Sequence, residues 1–192
     1  MTRIVSAACA ALAVFLAVPS SATAQSHNQG FFVEARGGVN VPTFDISDAA
    51  DAGPSFGAGI GYRLTDRINL LAEADFGFHS GAALPTGGEG PDVNVYHFIG
   101  KLGYDLLERG SSRWSIMVNA GAGALLFDID TPGFETKAYF AINVGAKIAY
   151  SVNRNLDFVL SPQGDIALTD EAVLGTDNSW VWPFAAGLRV KF

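Results

Sequence analysis

The sequence predicts an all-β fold: an eight-stranded, antiparallel, up-and-down transmembrane β-barrel preceded by a cleaved N-terminal signal peptide. Three observations support this prediction. From residue 31 onward the chain divides into eight segments in which apolar and polar residues alternate, as in a β-strand with two different faces. Short and long connections alternate between these segments. The charged residues of the segments share one face, while the opposite face is almost uncharged.

The first 24 residues have the three parts of a signal peptide. Arg3 supplies a basic start, residues 4–18 are apolar, and Ala22-Thr23-Ala24 fits the small-residue cleavage rule. We therefore expect residues 1–24 to be a signal peptide and residues 25–192 to be one barrel domain. The only cysteine, Cys9, lies in the leader, so disulfides and cysteine chemistry are not expected in the mature chain.

The eight predicted strands are nine to fifteen residues long. In chain order they are Phe31–Val39, Ser55–Leu64, Arg67–Phe78, Asn94–Leu106, Arg113–Phe127, Lys137–Tyr150, Leu156–Thr169 and Trp180–Phe192. Their apolar faces carry, in the same order, Val33 and Ala35; Phe56, Ala58 and Ile60; Leu70, Ala72 and Ala74; Phe98 and Leu102; Val118, Ala120 and Ala122; Phe140, Ile142 and Val144; Phe158 and Leu160; and Leu188 and Val190. Each run is long enough to cross a membrane as a tilted strand.

The connections indicate how the strands are joined. Thr65-Asp66, Leu107–Ser112 and Ser151–Asn155 are short and rich in turn residues. Asn40–Pro54, His79–Val93, Asp128–Thr136 and Asp170–Ser179 are longer. An even number of strands with strictly alternating short and long connections is typical of an outer-membrane barrel.

The distribution of charge predicts which face points inward. Six acidic and six basic side chains share one face: Glu34, Glu73, Asp75, Asp105, Asp157, Asp165, Arg36, Arg63, Lys101, Lys147, Arg189 and Lys191. In a soluble barrel the apolar face would point inward, as in lipocalins. Here the uncharged face belongs in lipid, because Arg or Lys at the bilayer midplane would cost roughly 2–4 kcal/mol each. Aromatic residues near both ends of the strands form the two expected girdles.

The chain resembles small outer-membrane β-barrels of the OmpA-transmembrane, OmpX and OmpW type. The resemblance rests on the signal peptide, the eight alternating strands, and the C-terminal residues Gly187, Leu188, Val190 and Phe192. It implies that these four residues are an assembly signal and that the barrel-assembly machinery and periplasmic chaperones are partners during biogenesis. We also expect a monomer located in the outer membrane of Gram-negative bacteria, in contact with lipid and lipopolysaccharide.

The sequence does not favour enzymatic activity, and no cofactor is expected. His79 and Ser80 invite comparison with outer-membrane lipid A deacylases, but adjacent strand residues point to opposite faces. His97 is interpreted as an interior histidine with hydrogen-bond partners. A net charge of −7 argues against nucleic acid, whose binding requires a basic surface.

Two alternatives remain for the lumen. The six acids and six bases can pair and fill it as a plug, since an eight-stranded barrel has room only for its own side chains. Alternatively, inward glycines leave space for a narrow channel or transporter of small solutes. These glycines are Gly57, Gly59, Gly61, Gly103, Gly121, Gly123, Gly145 and Gly187. We favour a non-enzymatic barrel with a plugged lumen and a role in envelope integrity or surface interaction.

The long connections carry eleven acidic residues and no Lys or Arg. We call this set the acidic crown: Asp45, Asp48, Asp51, Glu89, Asp92, Asp128, Asp130, Glu135, Asp170, Glu171 and Asp177. The crown either provides a solvated surface or binds divalent cations, because oxygen ligands suit Ca²⁺ and Mg²⁺. The weak candidate cation ligands are Asp45, Asp48, Asp51, Asp128, Asp130 and Glu135.

Overall fold

A computed structural model describes residues 30–83, 87–107 and 112–192, apart from the side chains of Asp45 and Val173. The predicted signal peptide lies outside the described residues. Each of the eight strands pairs with its neighbours in chain order, and β8 pairs with β1 to close the barrel. The strands are β1 Phe31–Thr43, β2 Gly53–Arg63, β3 Ile68–His79, β4 Val93–Asp105, β5 Trp114–Ile129, β6 Lys137–Ser151, β7 Leu156–Leu168 and β8 Asn178–Lys191.

All eight neighbouring pairs are antiparallel, as the alternating connections predict. The strand ends at the long connections differ from the sequence prediction. Strand β1 continues to Thr43 rather than Val39, and β2 begins at Gly53. The first long connection is therefore nine residues, 44–52, and we call it loop 1. We call the end with the long connections the outer end of the barrel.

The register gives the tilt of the barrel. One row of paired residues starts at Val33 and passes through Ile60, Ala72, Gly100, Ala122, Ile142, Ile166 and Trp180. It returns to β1 at Thr43, ten positions beyond residue 33. A stagger of ten over eight strands corresponds to a strand tilt of about 40°. Because the strands are tilted, two residues at the same depth on opposite sides of the lumen do not belong to the same row of paired residues.

Apolar and charged side chains lie on opposite faces of the barrel wall, as the sequence predicts. Large apolar side chains on the outer surface are exposed, among them Leu102, Phe140 and Leu188. Nine of the twelve predicted lumen charges are buried, and Arg63, Asp75 and Lys191 are partly buried. No helix among the described residues is long and apolar enough to cross a membrane.

Apolar side chains from the loops close the outer end. Loop 1 begins with a short 3-10 helix, Phe44–Asp48, and places Ile46 and Ala50 against lumen residues such as Leu125 and Phe127. A second contribution comes from Leu174 in the one-turn helix α1, Glu171–Leu174. The side chain of Asp170 caps this helix, and Gly175 ends it with a left-handed φ of 75°. We call this apolar cluster the outer plug.

Pro162 interrupts the hydrogen bonding of β7 in the middle of the strand. A proline has no N–H to donate to a neighbouring strand, and no cross-strand pair of Pro162 with β6 is present. The side-chain amide of Gln163 compensates, because its Nε2 donates to the Ala146 carbonyl oxygen at 3.0 Å. The same amide carries a hydrogen bond into the lumen, where its Oε1 accepts from Lys101.

Candidate functional site

Nine of the predicted lumen charges form one connected ion network. It has four carboxylates and five cations: Glu34, Glu73, Asp75, Asp157, Arg36, Lys101, Lys147, Arg189 and Lys191. The members come from β1, β3, β4, β6, β7 and β8, so the network ties together six of the eight strands. We call it the lumen network.

Glu73 is at the centre of the lumen network. Its carboxylate lies 2.7 Å from Arg36 Nη2, 2.8 Å from Lys101 Nζ and 2.6 Å from Lys147 Nζ. The sequence predicts the Glu73–Lys101 pair from their similar depth on neighbouring strands, and the structure places them in contact. Three cations around one buried carboxylate offset the large cost of removing each charge from water.

Arg36 contacts three carboxylates from two strands. Its Nε and Nη2 donate to the two oxygens of Asp75 at 3.0 and 2.6 Å, a two-point contact that suits the planar guanidinium. Nη2 also donates to Glu73, and Nη1 lies 3.2 Å from Glu34. This side chain therefore links β1 to β3 across the intervening strand β2.

Arg189 and Glu34 join the first and last strands of the barrel. They are directly opposite in the β1–β8 register, and Arg189 Nε donates to Glu34 Oε1 at 2.7 Å. Glu34 also contacts Lys147 of β6. On its other side Arg189 is opposite Asp157 of β7, whose carboxylate also contacts Lys191. The network thus stabilises the seam where the barrel closes.

The other three predicted lumen charges lie outside these contacts. Asp165 accepts hydrogen bonds from Asn143 Nδ2 at 2.7 Å and from His97 Nδ1 at 2.9 Å. Asp105 accepts from Asn69 Nδ2 at 3.0 Å. Arg63 lies within electrostatic reach of Asp105 and Asp157. His97 is thus an interior histidine with partners, as the sequence predicts.

The inward glycines do not leave open space at the positions where a Cβ would lie. At all eight positions a Cβ would lie within 3.2 Å of an atom already present. The nearest atom belongs to a side chain at five of them: Asp75 at Gly57, Glu73 at Gly59, the Phe32 ring at Gly61, Met117 at Gly103 and Gln163 at Gly145. At these five positions glycine allows an inward side chain to lie directly against the barrel wall. At Gly121, Gly123 and Gly187 the nearest atom is a backbone oxygen of a neighbouring strand.

Apolar layers bound the lumen network on both sides. Phe32, Leu71 and Met117 form a cluster towards the end with the short turns. The Arg189 guanidinium stacks over the Phe32 ring at 4.6 Å from its centroid, an attractive cation–π arrangement. The outer plug lies towards the opposite end. Each layer reduces the access of water to the charges, which strengthens their pairing.

The acidic crown does not form a compact cation site in the described part of the chain. No group of three or more His, Cys, Asp or Glu residues is arranged there to hold a metal ion. Asp48, Asp51, Asp130 and Glu135 are exposed and directed to solvent, while Asp128 accepts a hydrogen bond from Thr136. The side chain of Asp45 lies outside the described residues. The candidate ligands are therefore not brought together here.

The sequence reasoning places Asn69, Asn119, Asn143 and Gln163 on the charged face but misses Asn40. Asn40 is fully buried and contacts His97, but the predicted strand ended one residue before it. Extending the alternation of Glu34 and Arg36 to residue 40 would have placed it inward. The loop residues of the outer plug had no comparable signal.

The fold, the lipid-facing apolar band and the charged lumen define a membrane-spanning outer-membrane β-barrel. The chain belongs to the family described as outer membrane protein beta-barrel domain, which matches residues 10–192. Proteins of this class reside in the outer membrane of Gram-negative bacteria, and so does this chain. The assignment agrees with the resemblance found in the sequence.

Solved barrels share this fold at low sequence identity. Neisserial surface protein A is 21% identical, with a TM-score of 0.67 over 85% of this chain and 97% of its own. OprG from Pseudomonas aeruginosa is 16% identical, with a TM-score of 0.62 over 88% and 99%. The N-terminal barrel of OprF from the same organism is 18% identical, with a TM-score of 0.57 over 88% and 100%. No curated protein matches the chain.

Proposed function

We propose that this protein is a non-enzymatic barrel that supports the integrity of the outer membrane and presents a surface for interaction, with its lumen closed as a plug. The observation that carries the proposal is the ion network across the lumen. This network links six strands, apolar clusters bound it on both sides, and an atom already present lies within 3.2 Å of the Cβ position of every inward glycine. Because these charged side chains pair with each other, they do not line a water-filled path.

Conductance separates this proposal from the transporter alternative. Purified protein in planar bilayers should show no stable, sizeable single channels at neutral pH, because moving an ion through the lumen requires breaking several buried pairs. A sixteen-stranded porin, whose lumen is an aqueous channel, serves as the positive control. Reproducible channels of uniform size from the folded protein would overturn the plug and favour transport.

A role in envelope integrity requires a cellular test. A deletion strain should become more sensitive to bile salts and to hydrophobic antibiotics, and the wild-type gene should restore resistance. The double variant Glu73→Gln/Lys101→Met is the informative complementation, because it retains the loops and the lipid-facing surface but weakens the lumen network. Unchanged sensitivity in the deletion strain would contradict an envelope role.

The surface role rests on the acidic crown. Nine of its members are exposed at the outer end: Asp48, Asp51, Glu89, Asp92, Asp130, Glu135, Asp170, Glu171 and Asp177. We infer a shared, weak interaction with divalent cations that also bind the anionic lipopolysaccharide around the barrel. The interaction is spread over several loops because the described acids do not converge on one ion.

A further inference from the structure

The lipid-facing wall of the barrel has a depression over strands β1 to β4. Its volume is about 840 Å³, which lies in the range of small-molecule sites, roughly 300–1,000 Å³. Leu188 of β8 and Phe98 of β4 form its two sides. Small residues from two adjacent rows of the register form its floor: Ala35, Ala58 and Ala74 in one row, and Ala72 and Gly100 in the next. We call this depression the alanine trough.

Aromatic rings border the alanine trough on the side of the outer end. Phe56, Phe76 and Tyr96 are consecutive in the next row of paired residues. The ring centroids of Phe56 and Phe76 are 5.4 Å apart, and those of Phe76 and Tyr96 are 5.7 Å apart. This row of rings separates the trough from the part of the wall that faces the outer leaflet.

The border on the side of the short turns changes from one strand to the next. On β1 and β2 it consists of Phe31 and Tyr62, whose ring centroids are 4.7 Å apart. On β3 and β4 the same row continues with Leu70 and Leu102. An apolar chain that enters from this side therefore reaches the trough most directly over the two leucines.

A basic and aromatic pair lies at the rim of the same two strands. Arg67 directly precedes β3, and its Nη1 donates to the Tyr104 hydroxyl of β4 at 3.3 Å. The guanidinium carbon lies 6.0 Å from the centroid of the Tyr104 ring. A guanidinium suits two-point contact with a phosphate, and tyrosine is enriched at the level of lipid headgroups.

The distance between this rim and the alanine trough fits one leaflet. Tyr104 and Gly100 are four residues apart on β4, which is about 13 Å along the strand and about 10 Å in depth at a tilt of about 40°. Half of the hydrocarbon core of a bilayer is about 15 Å thick. An acyl chain whose headgroup lies at Arg67 therefore reaches the trough without crossing the midplane.

The charge at this end of the barrel favours an anionic headgroup. In the sequence, the short connections and the residues next to them carry four arginines and two acids, whereas the long connections carry the acidic crown. The short turns of such barrels face the periplasm. Anionic lipids of the periplasmic leaflet thus meet the more basic of the two ends.

We propose that the alanine trough holds one acyl chain of an anionic phospholipid from the periplasmic leaflet, with the phosphate of this lipid on Arg67. A chain in the trough contacts the floor and both sides, whereas a chain against the convex wall elsewhere contacts protein on one side, so the trough offers more dispersion contacts. The site lies on the outside of the barrel wall and does not depend on the closed lumen.

The test maps the lipid on the folded chain in phosphatidylcholine nanodiscs. A small fraction of phosphatidylglycerol carries a diazirine at the middle of one acyl chain, and mass spectrometry locates its adducts after irradiation. Adducts should concentrate on the trough residues of β2, β3 and β4. A phosphatidylcholine probe with the same acyl chain should label them about fivefold less, as expected for one arginine near an anionic headgroup.

Two leucine variants test the trough itself. Ala74→Leu fills the middle of the floor, so labelling there should fall to the level found on the outward residues of β6. Ala146→Leu is the matched control, because Ala146 is also outward and partly exposed but lies on β6, outside the residues that line the trough. It should keep the wild-type map.

Two glutamine variants test the headgroup contact. Arg67→Gln should abolish the preference for phosphatidylglycerol over phosphatidylcholine at the trough. Arg113→Gln is the matched control, because Arg113 Nη1 also donates to a tyrosine hydroxyl, that of Tyr150, at 3.3 Å, but next to β5 and β6. It should keep the preference, and heat-modifiable gel mobility confirms that each variant is folded.

The proposal is refuted if adducts on the wild-type chain are spread evenly over the outward residues of all eight strands, or if the two headgroups label the trough equally. It is also refuted if folded Ala74→Leu keeps the wild-type map or folded Arg67→Gln keeps the preference. The wild-type maps need no substitution, so they decide the proposal even where a variant fails to fold. Channels in planar bilayers would overturn the plugged lumen without changing these maps.

Discussion

Removing the charge of Glu73 should destabilise the barrel more than removing any single cation that contacts it. The Glu73→Gln change keeps the size of the side chain and removes the carboxylate that contacts Arg36, Lys101 and Lys147. The lumen network then has three carboxylates and five cations. Lys101→Met leaves four of each, so the remaining charges can still balance.

The magnitudes follow from these counts. Leaving buried cations without their carboxylate costs about 3–5 kcal/mol, which is the loss expected for Glu73→Gln. Lys101→Met should cost about 1–2 kcal/mol, because contacts to Glu73 and Gln163 are lost without an excess of one charge. The double variant removes one carboxylate and one cation, so the network keeps its wild-type excess of one cation. We therefore expect its loss of unfolding free energy to be smaller than the sum of the two single losses by about 1–2 kcal/mol.

Urea unfolding in lipid vesicles, followed by tryptophan fluorescence, measures these free energies. Lys137→Met and Glu135→Gln are matched controls, because their side chains are 43% and 88% exposed and 4.0 Å apart. Exposed pairs contribute little, so each control should change stability by less than about 1 kcal/mol. Additive effects of Glu73→Gln and Lys101→Met, or a larger loss for Lys101→Met alone, would refute this account of the network.

Three further predictions concern packing, assembly and the loops. Gly61→Ala should destabilise by about 1–3 kcal/mol, because the new Cβ would lie 2.0 Å from the Phe32 ring; Gly37→Ala, with its nearest atom at 3.7 Å, should change urea stability much less. Phe192→Asp should reduce the amount of barrel in the outer membrane and leave precursor in the periplasm; equal amounts in fractionated cells would argue against a C-terminal assembly signal. Millimolar Ca²⁺ should slow protease cleavage of the long loops, and Asp→Asn changes in the crown residues of loop 1 and the β5–β6 loop should abolish the effect; equal cleavage with Ca²⁺ and with chelator would reduce the acidic crown to a solvated surface.

The sequence predicts the strands and their faces well because both depend on local alternation. Moving one residue along a strand reverses the direction of the side chain, so Glu34, Arg36 and their equivalents could be assigned to the lumen from parity alone. The lipid-facing side follows from the same rule, since charge is excluded from hydrocarbon. The structure places Lys147 and Ile142 on opposite faces of β6, as this reasoning requires.

The outer strand ends were predicted less well because a barrel continues beyond the membrane. Pairing with β8 extends β1 through Thr43, although Pro42 taken alone argues against a strand there. Residues 40–43 were therefore assigned to the first long connection, although in the structure they belong to β1. This error hid Asn40, and with it the contact between β1 and His97.

Contacts across the lumen could not be predicted because they depend on the stagger of the closed barrel. The pair Glu73–Lys101 was accessible because β3 and β4 are neighbours in the chain. Glu34 and Lys147 are separated by 113 positions and lie on strands that do not pair, yet they are in contact. A stagger of ten residues tilts every strand by about 40°, so a side chain near the start of β1 reaches one near the end of β6. A different stagger would leave the same faces and the same charges but pair different partners, so the local pattern of this sequence can specify the barrel wall without specifying its lumen contacts.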